Sequence, residues 1–463
     1  MGSGRTNFSF SLNPRSFFNS LSIPTLLIYG SKKVGFFFLT NPIKASDLLR
    51  EGIDQGTEMQ AFYLSGWSKR ISILAFLLST LFYYTSFFPS PAYGGETVKI
   101  GLLTPRQELG FNPGEAYLRG AEMAVAEANA REGKEGQQLL LVLRGEHHIQ
   151  GENLNWLREL IVEERLHFLM GEARKEDIPQ ISRMVQQQRL PFLVFPTEFI
   201  EAASTGEEPT GLFWISPSPE AFQRATVRTA AQFPKKRFFL LARNSSVGRS
   251  WAKYFWEELK RLKPDAQPVG ELFLPEKVAD YGPYIQTILS AKTEVCISHL
   301  GGMEWPRFAR LAKRQGYFRQ IIHFEVEGGS LESLVALKKD APEGVWGVSA
   351  FPFWALGWKE TREFVVKYKE KTNAYPGLDA LSGYVSIQAL LAAMKKSGSS
   401  DPDRVIGILE GLTFRTPVGQ LAIRKADHRA LWPIWCGSIR FTPEYPFAVL
   451  GDLKAFGPDS FSP

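Results

Sequence analysis

From Val98 onward, short apolar runs alternate with stretches in which apolar residues recur every three or four positions. "VKIGLLT" (98–104) reads as a strand, and Leu118, Ala121, Val125 and Ala128 then share one helical face before Asn129 and a glycine-bearing turn. "LLLVL" (139–143) and "HFLM" (167–170) are further strands with helical spacing across 153–165 between them. Ile178, Ile181 and Val185 mark a third helix, and "PFLVF" (191–195) a fourth strand. After "FWISPSPE" the cycle restarts: "RFFLLA" (237–242), a helix at 250–262, "GELFL" (270–274), a helix at 283–291, "EVCIS" (294–298), a helix at 303–315 and "QIIHF" (320–324). Continuous apolar runs, rather than alternating ones, belong to strands covered by helices on both faces. Two successive β-α-β-α-β-α-β halves therefore predict an α/β protein with two doubly wound parallel-sheet lobes and right-handed crossovers.

In such sheets ligands bind beyond the carboxyl ends of the strands. That rule selects residues 104–114, 144–152, 171–176 and 196–199 in the first lobe, and 243–248, 274–280, 299–302 and 325–329 in the second. Two lobes presenting these ends to one another form a cleft that can close by a hinge motion.

Upstream of Val98 the pattern changes. Lys69 and Arg70 precede an apolar stretch from Ile71 to Phe88 and a small-x-small site at Ser90-Pro-Ala92, the three parts of an export signal. Residues 59–92 are expected to be a signal peptide cleaved after Ala92; a membrane anchor at 71–88 that stays uncleaved is the alternative, given the length of the stretch. Residues 1–58 read as a misassigned or disordered N-terminal extension.

The charge agrees with this division. Residues 1–95 hold eight Lys/Arg and four Asp/Glu, whereas the remainder holds 46 and 44. A nearly neutral body offers no basic stripe for a nucleic acid backbone. Cys296 and Cys436 both lie in apolar runs, so buried thiols are favoured over a disulfide, and two isolated cysteines do not make a zinc site. His147 and His148 beside Glu146 suggest a metal at first sight, but adjacent side chains on a strand or turn diverge and no further ligands are evident. The chain has no G-x-S-x-G elbow, Walker loop, G-x-G-x-x-G or H-E-x-x-H. No cofactor, metal or enzyme activity is expected.

"KIGLLTP", "YLRGAEMAVAEAN", "LPFLVFPT", "FFLLARNSSVGRSWAKYF", "GYVSIQALLAAMKKSG" and "TPVGQLAIRKADHRALWPIWCGSI" follow one another in order between residues 97 and 441. In these stretches the chain resembles the type I periplasmic substrate-binding proteins, and among them the branched-chain amino acid and amide binders of ABC transporters. The resemblance implies two lobes joined by a hinge of three crossovers, near Ser216, Ser349 and Thr416. Residues 97–215 and 350–415 would then form the first lobe, and 216–349 and 416–455 the second. It also implies a periplasmic monomer that captures a small amino-acid- or amide-like ligand and delivers it to a transporter permease. A membrane-anchored ligand sensor is the alternative, and an enzyme a more distant one.

The same resemblance points to site residues. "GEARKED" supplies Ala173 and Arg174 beside a helix N-terminus, where an anion is favoured; Arg174 could add a bidentate contact. Thr197 and Glu198 follow "VFP" on the second contact loop. Ser245 precedes a helix and could cap it or touch ligand. His299 ends "EVCIS", and Glu325 ends "QIIHF", where the family often places a carboxylate for a ligand ammonium; Glu327 is the rival for that role. The family pattern is broken where serines are usual, at Glu172-Ala173-Arg174, and where a tyrosine is usual, at Val247. Those departures favour a polar or anionic ligand over plain leucine.

Overall fold

The computed structural model describes residues 97–103, 113–132, 137–143, 154–173, 177–196 and 211–457. The extension at 1–58, the signal at 59–92 and the anchor alternative at 71–88 lie outside the described residues, as do 104–112, 144–153, 174–176 and 197–210.

The first sheet has five parallel strands: β1 (Val98–Leu103), β2 (Leu139–Val142), β3 (Phe168–Ala173), β4 (Phe192–Pro196) and β5 (Leu212–Trp214), in the order β2-β1-β3-β4-β5. Helices α1 (Pro113–Glu132), α2 (Asn155–Glu164) and α3 (Ile178–Gln187) connect them. The strand order reverses between β1 and β3, which places the crevice at their carboxyl ends. Gly171, on β3, has φ +126°, and a Cβ there would meet the Leu103 carbonyl oxygen at 1.9 Å, so only glycine lets β3 run this close to the end of β1.

After β5 come α4 (Pro219–Ala231) and a second, seven-stranded sheet. Its parallel part is β6 (Arg237–Arg243), β7 (Gln267–Leu274), β8 (Val295–His299), β9 (Ile322–Glu325) and β10 (Trp346–Ser349). It is wound with α5 (Ser246–Leu262), α6 (Gly282–Ser290), α7 (Glu304–Arg314) and α8 (Leu331–Leu337). The full order is β14-β13-β10-β9-β8-β6-β7, in which β13 (Ile434–Arg440) runs antiparallel to both of its neighbours, β10 and β14 (Val449–Phe456). Phe238, Leu240, Val295, Ile297 and Phe324 are buried under α4 and α5, and the alternate residues Phe239, Leu241 and Cys296 belong to the core on the other face. Both faces are thus covered, as the uninterrupted apolar runs require.

Between β10 and β13 the chain returns to the first sheet as α9 (Lys359–Thr372), α10 (Leu378–Ser397) and α11 (Pro402–Leu409), followed by a hairpin of β11 (Thr413–Thr416) and β12 (Gly419–Ala422). Helices α1 and α10 touch at their backbones. A Cβ on Gly120 would meet the Ala380 carbonyl oxygen at 1.8 Å, and one on Gly383 the Tyr117 carbonyl oxygen at 2.0 Å. The Tyr117 hydroxyl meets the Ser386 hydroxyl at 3.0 Å, and Tyr384 donates to Glu127 at 2.8 Å, which fixes the register of the two helices. Residues 428–430 then pair with β5: Trp214 N–H donates to the His428 carbonyl and Ala430 N–H to that of Trp214.

Cys296 and Cys436 are free and buried, as their apolar surroundings suggested, and burial pushes both thiols up to about 12. Among the described residues no helix is long and apolar enough to cross a membrane.

Candidate functional site

The carboxyl ends of β8 and β9 lie side by side, with Ser298 opposite Glu325 in register. β8 ends at His299, and the chain turns through Leu300, Gly301 and Gly302 into α7. Gly301 and Gly302 have φ +62° and +46°, a left-handed pair that costs glycine little. β9 ends at Glu325, and Glu327 lies in the turn beyond it.

Glu325 has no exposed surface. Its Oε1 accepts the N–H groups of Leu300 at 3.1 Å, Gly301 at 3.3 Å and Glu327 at 3.4 Å, and its Oε2 accepts the Ser298 hydroxyl in a short hydrogen bond. Burial pushes the carboxyl up to about 7, against the pull of Ser298, His299 and Leu300. Glu327 is different: its side chain is 44% exposed, its Oε1 lies 3.6 Å from His299 Nε2, and its Oε2 accepts the Gly302 N–H at 3.2 Å. Burial would raise its carboxyl, but the neighbouring His299 overrides this and holds it below the ordinary value. His299 shows the converse, with burial disfavouring its charge and Glu327 raising it to a net upward shift. Its ring tilts against Trp251, with centroids 5.4 Å apart. Glu325 is therefore held inside the protein, whereas Glu327 and His299 each keep part of the side chain exposed.

Two further carboxylates join them. Glu332 is in the first turn of α8, which Ser330 caps, and a Cβ on Gly377 would strike its Oε1 at 2.0 Å. Its carboxylate therefore lies against the backbone that leads into α10, whose first turn carries Asp379. Burial raises Glu332, and Glu327 raises it further. Asp379 is pushed well above its ordinary value by burial, then by Glu332, Glu172 and Glu327. Glu172 of β3, Glu327 beyond β9 and Glu332 of α8 thus all bear on Asp379 of α10. Glu332 and Asp379 were missed in the sequence, where each looks like an ordinary first-turn helix acid.

Of the other expected residues, Ala173 ends β3 with its methyl fully buried in the core beneath α3, so only its backbone is free to face the crevice. Ser245 caps α5, its hydroxyl accepting the Gly248 N–H at 3.0 Å. Arg174, Thr197 and Glu198 lie outside the described residues, as do His147 and His148. Among the described residues no group of His, Cys, Asp and Glu is placed to hold a metal ion.

With this geometry in hand, comparison with known proteins gives a consistent result. A family model described as "Periplasmic binding protein" matches residues 97–441. The Leu/Ile/Val-binding protein homolog 7 of Brucella melitensis is 25% identical over 313 residues, 65% of this chain and 77% of that protein. The structure of an amino acid ABC transporter substrate-binding protein from Pseudomonas fluorescens superposes with a TM-score of 0.68 at 16% identity, covering 79% of this chain and 98% of the other. A solute-binding protein of an ABC transporter from Rhodopseudomonas palustris, in complex with 3,4-dihydroxybenzoic acid, gives 0.65 at 18% identity, covering 78% and 98%. The fold is that of the type I periplasmic binding proteins, with their two doubly wound lobes, and the chain belongs to the periplasmic binding protein family.

Proposed function

We propose that the protein is the extracytoplasmic solute-capturing component of an ABC transporter, closing its lobes on a small amino-acid- or amide-like solute with a positively charged group. The carrying observation is the acidic character of the second lobe's side of the crevice. Glu327 and His299 are accessible there, Glu332 and Asp379 are close by, and Glu325 lies beneath. Carboxylates gathered in a partly desolvated space favour an incoming cation and oppose an anion. An ammonium group therefore belongs against Glu327. The sequence had favoured a polar or anionic solute because of Arg174 and Val247; the acids shift the preference towards a cationic group, and we assign any acidic group on the solute to the loops around Ala173, Arg174 and Thr197.

The passages between lobes were expected near Ser216, Ser349 and Thr416. Ser216 lies just beyond β5 and Ser349 is the last residue of β10; we put the third between Ala430 and Ile434, because residues 428–430 still pair with β5 and β13 enters the second sheet at Ile434. A monomer delivering its solute to a permease fits this architecture. So does an anchored sensor if residues 71–88 remain uncleaved, which N-terminal sequencing starting at Tyr93 would rule out. We read the chain as a binder, in keeping with its family and with the solute-binding proteins whose fold it shares.

A thermal-shift screen of the purified protein tests the proposal, because a solute that binds the folded state raises its unfolding temperature. Leucine, glutamine, lysine and 3,4-dihydroxybenzoate make a discriminating set. Stabilisation by one or more of the amines is expected; stabilisation by the benzoate alone would overturn the assignment of a cationic group.

A further inference from the structure

The turn between β8 and α7 is built as an anion hole. Successive N–H groups at Leu300 and Gly301 point to one spot, made possible by the positive φ of Gly301 and Gly302, and the Glu327 N–H joins them from the neighbouring turn. Converging backbone donors of this kind, at the entrance to a helix, make a concavity that attracts negative charge. In this chain the hole is filled from within. We propose that the Glu325 carboxyl group is the internal occupant of this nest, closing it to any carboxylate of the solute and holding the Leu300–Gly302 turn in the shape that presents His299 and Glu327.

The hydrogen-bond inventory is consistent with an ionised carboxylate in this place. Ser298 has one hydroxyl proton, and the short bond to Glu325 Oε2 uses it. His323 Nε2, 2.8 Å from the same Ser298 oxygen, must then donate to it, which leaves Nδ1 to accept from the Tyr317 hydroxyl at 3.1 Å. Every donor in the chain from Tyr317 through His323 and Ser298 points towards Glu325. His323 is stacked 5.3 Å from Trp305 and 5.6 Å from Phe308, and burial drives its imidazolium form out to about 3, so it serves as a neutral relay and not as a counter-ion. β10 contributes Gly347 beside Glu325, with no charge. The negative charge is met by these dipoles and by the neighbouring His299, which also favours the ionised form. Glu325 is thus a positioning residue for Glu327 and His299, and it sets solute orientation by exclusion: an acidic end has no place on this lobe.

The orientation rests on the crevice being the solute site, whereas the nest itself is tested without any solute. Glu325→Ala removes the carboxylate and leaves the donors around a space of its size. Sodium formate, titrated against sodium chloride at equal ionic strength, should raise the unfolding temperature of Glu325→Ala saturably and recover at least about half of the loss, by binding the folded state. The wild-type protein and Glu325→Gln, in which the space is filled, should respond to formate as they do to chloride. If Glu325→Ala does not fold unaided, refolding yield in formate against chloride reads the same property. A Glu325→Ala response to formate no greater than to chloride, in melting or refolding, overturns the proposal.

Discussion

At Glu325 two physical effects oppose each other: burial favours the protonated acid, and three N–H groups and a hydroxyl favour the carboxylate. Burial wins in part, moving the group from 4.5 to about 7. Because the folded protein binds this proton more tightly than the unfolded chain, its contribution is complete below about pH 4.5 and is lost as pH rises towards 7. The slope is at most about 1.4 kcal/mol per pH unit for one group. Denaturant unfolding between pH 4.5 and 7 should show this decline in the wild type and a shallower one in Glu325→Gln. Equal slopes would mean that the carboxyl titrates near its ordinary value. The sequence named Glu325 and Glu327 as rivals but could not separate them, since both lie at the end of an apolar run. What separates them is the position of the strand end: Glu325 is the last residue in register with β8, and Glu327 lies in the turn outside the sheet.

Elements were more legible than residues. Eight strands fall where uninterrupted apolar runs placed them; those in the sheet interiors are covered on both faces and leave a signal that depends on no partner, whereas β2 and β7 are edge strands with exposed positions. β5 and α4 were not found: three residues, Leu212–Trp214, followed by Ser and Pro read as a connector, although Ser218 is the cap of α4, accepting the Ala221 N–H at 3.2 Å. Nor does local pattern reveal that α10 returns to lie on α1, since the contact depends on glycines facing each other across more than 250 residues. That contact is vulnerable. Gly383→Ala puts a methyl against the Tyr117 carbonyl, 2.0 Å from its ideal Cβ, and relief requires the helices to separate. A loss of about 1–3 kcal/mol or more is expected, read from the denaturation midpoint. The same substitution at Gly407, where a Cβ would meet nothing within 4 Å, should not destabilise.

Across the whole molecule, the charge of Glu332 on α8 bears on Asp379 on α10, a relation that appears only once residues 377–379 have come back beside α8. Both carboxyls are raised, so each stabilises at low pH and loses that contribution as pH rises. Asp379→Asn should therefore be more stable than wild type by about 1 kcal/mol above neutral pH, less a few tenths for the lost helix-terminus charge. The difference should vanish in acid, as paired denaturation curves would show. A variant no more stable at either pH would mean that the two carboxylates do not oppose one another. On the proposed function, a cationic solute group would supply the missing counter-charge and so couple binding to closure of the lobes.

The most direct measurement is calorimetric titration of matched pairs with and without an ammonium group, leucine against 4-methylpentanoate and lysine against 6-hydroxyhexanoate, into the wild type and Glu327→Gln. Binding should require the ammonium group, and Glu327→Gln should weaken it by about 1.5–3 kcal/mol, the range for a hydrogen bond to a charged group. A des-amino acid that binds the wild type as tightly as its amine, with affinity unchanged in Glu327→Gln, would contradict the account.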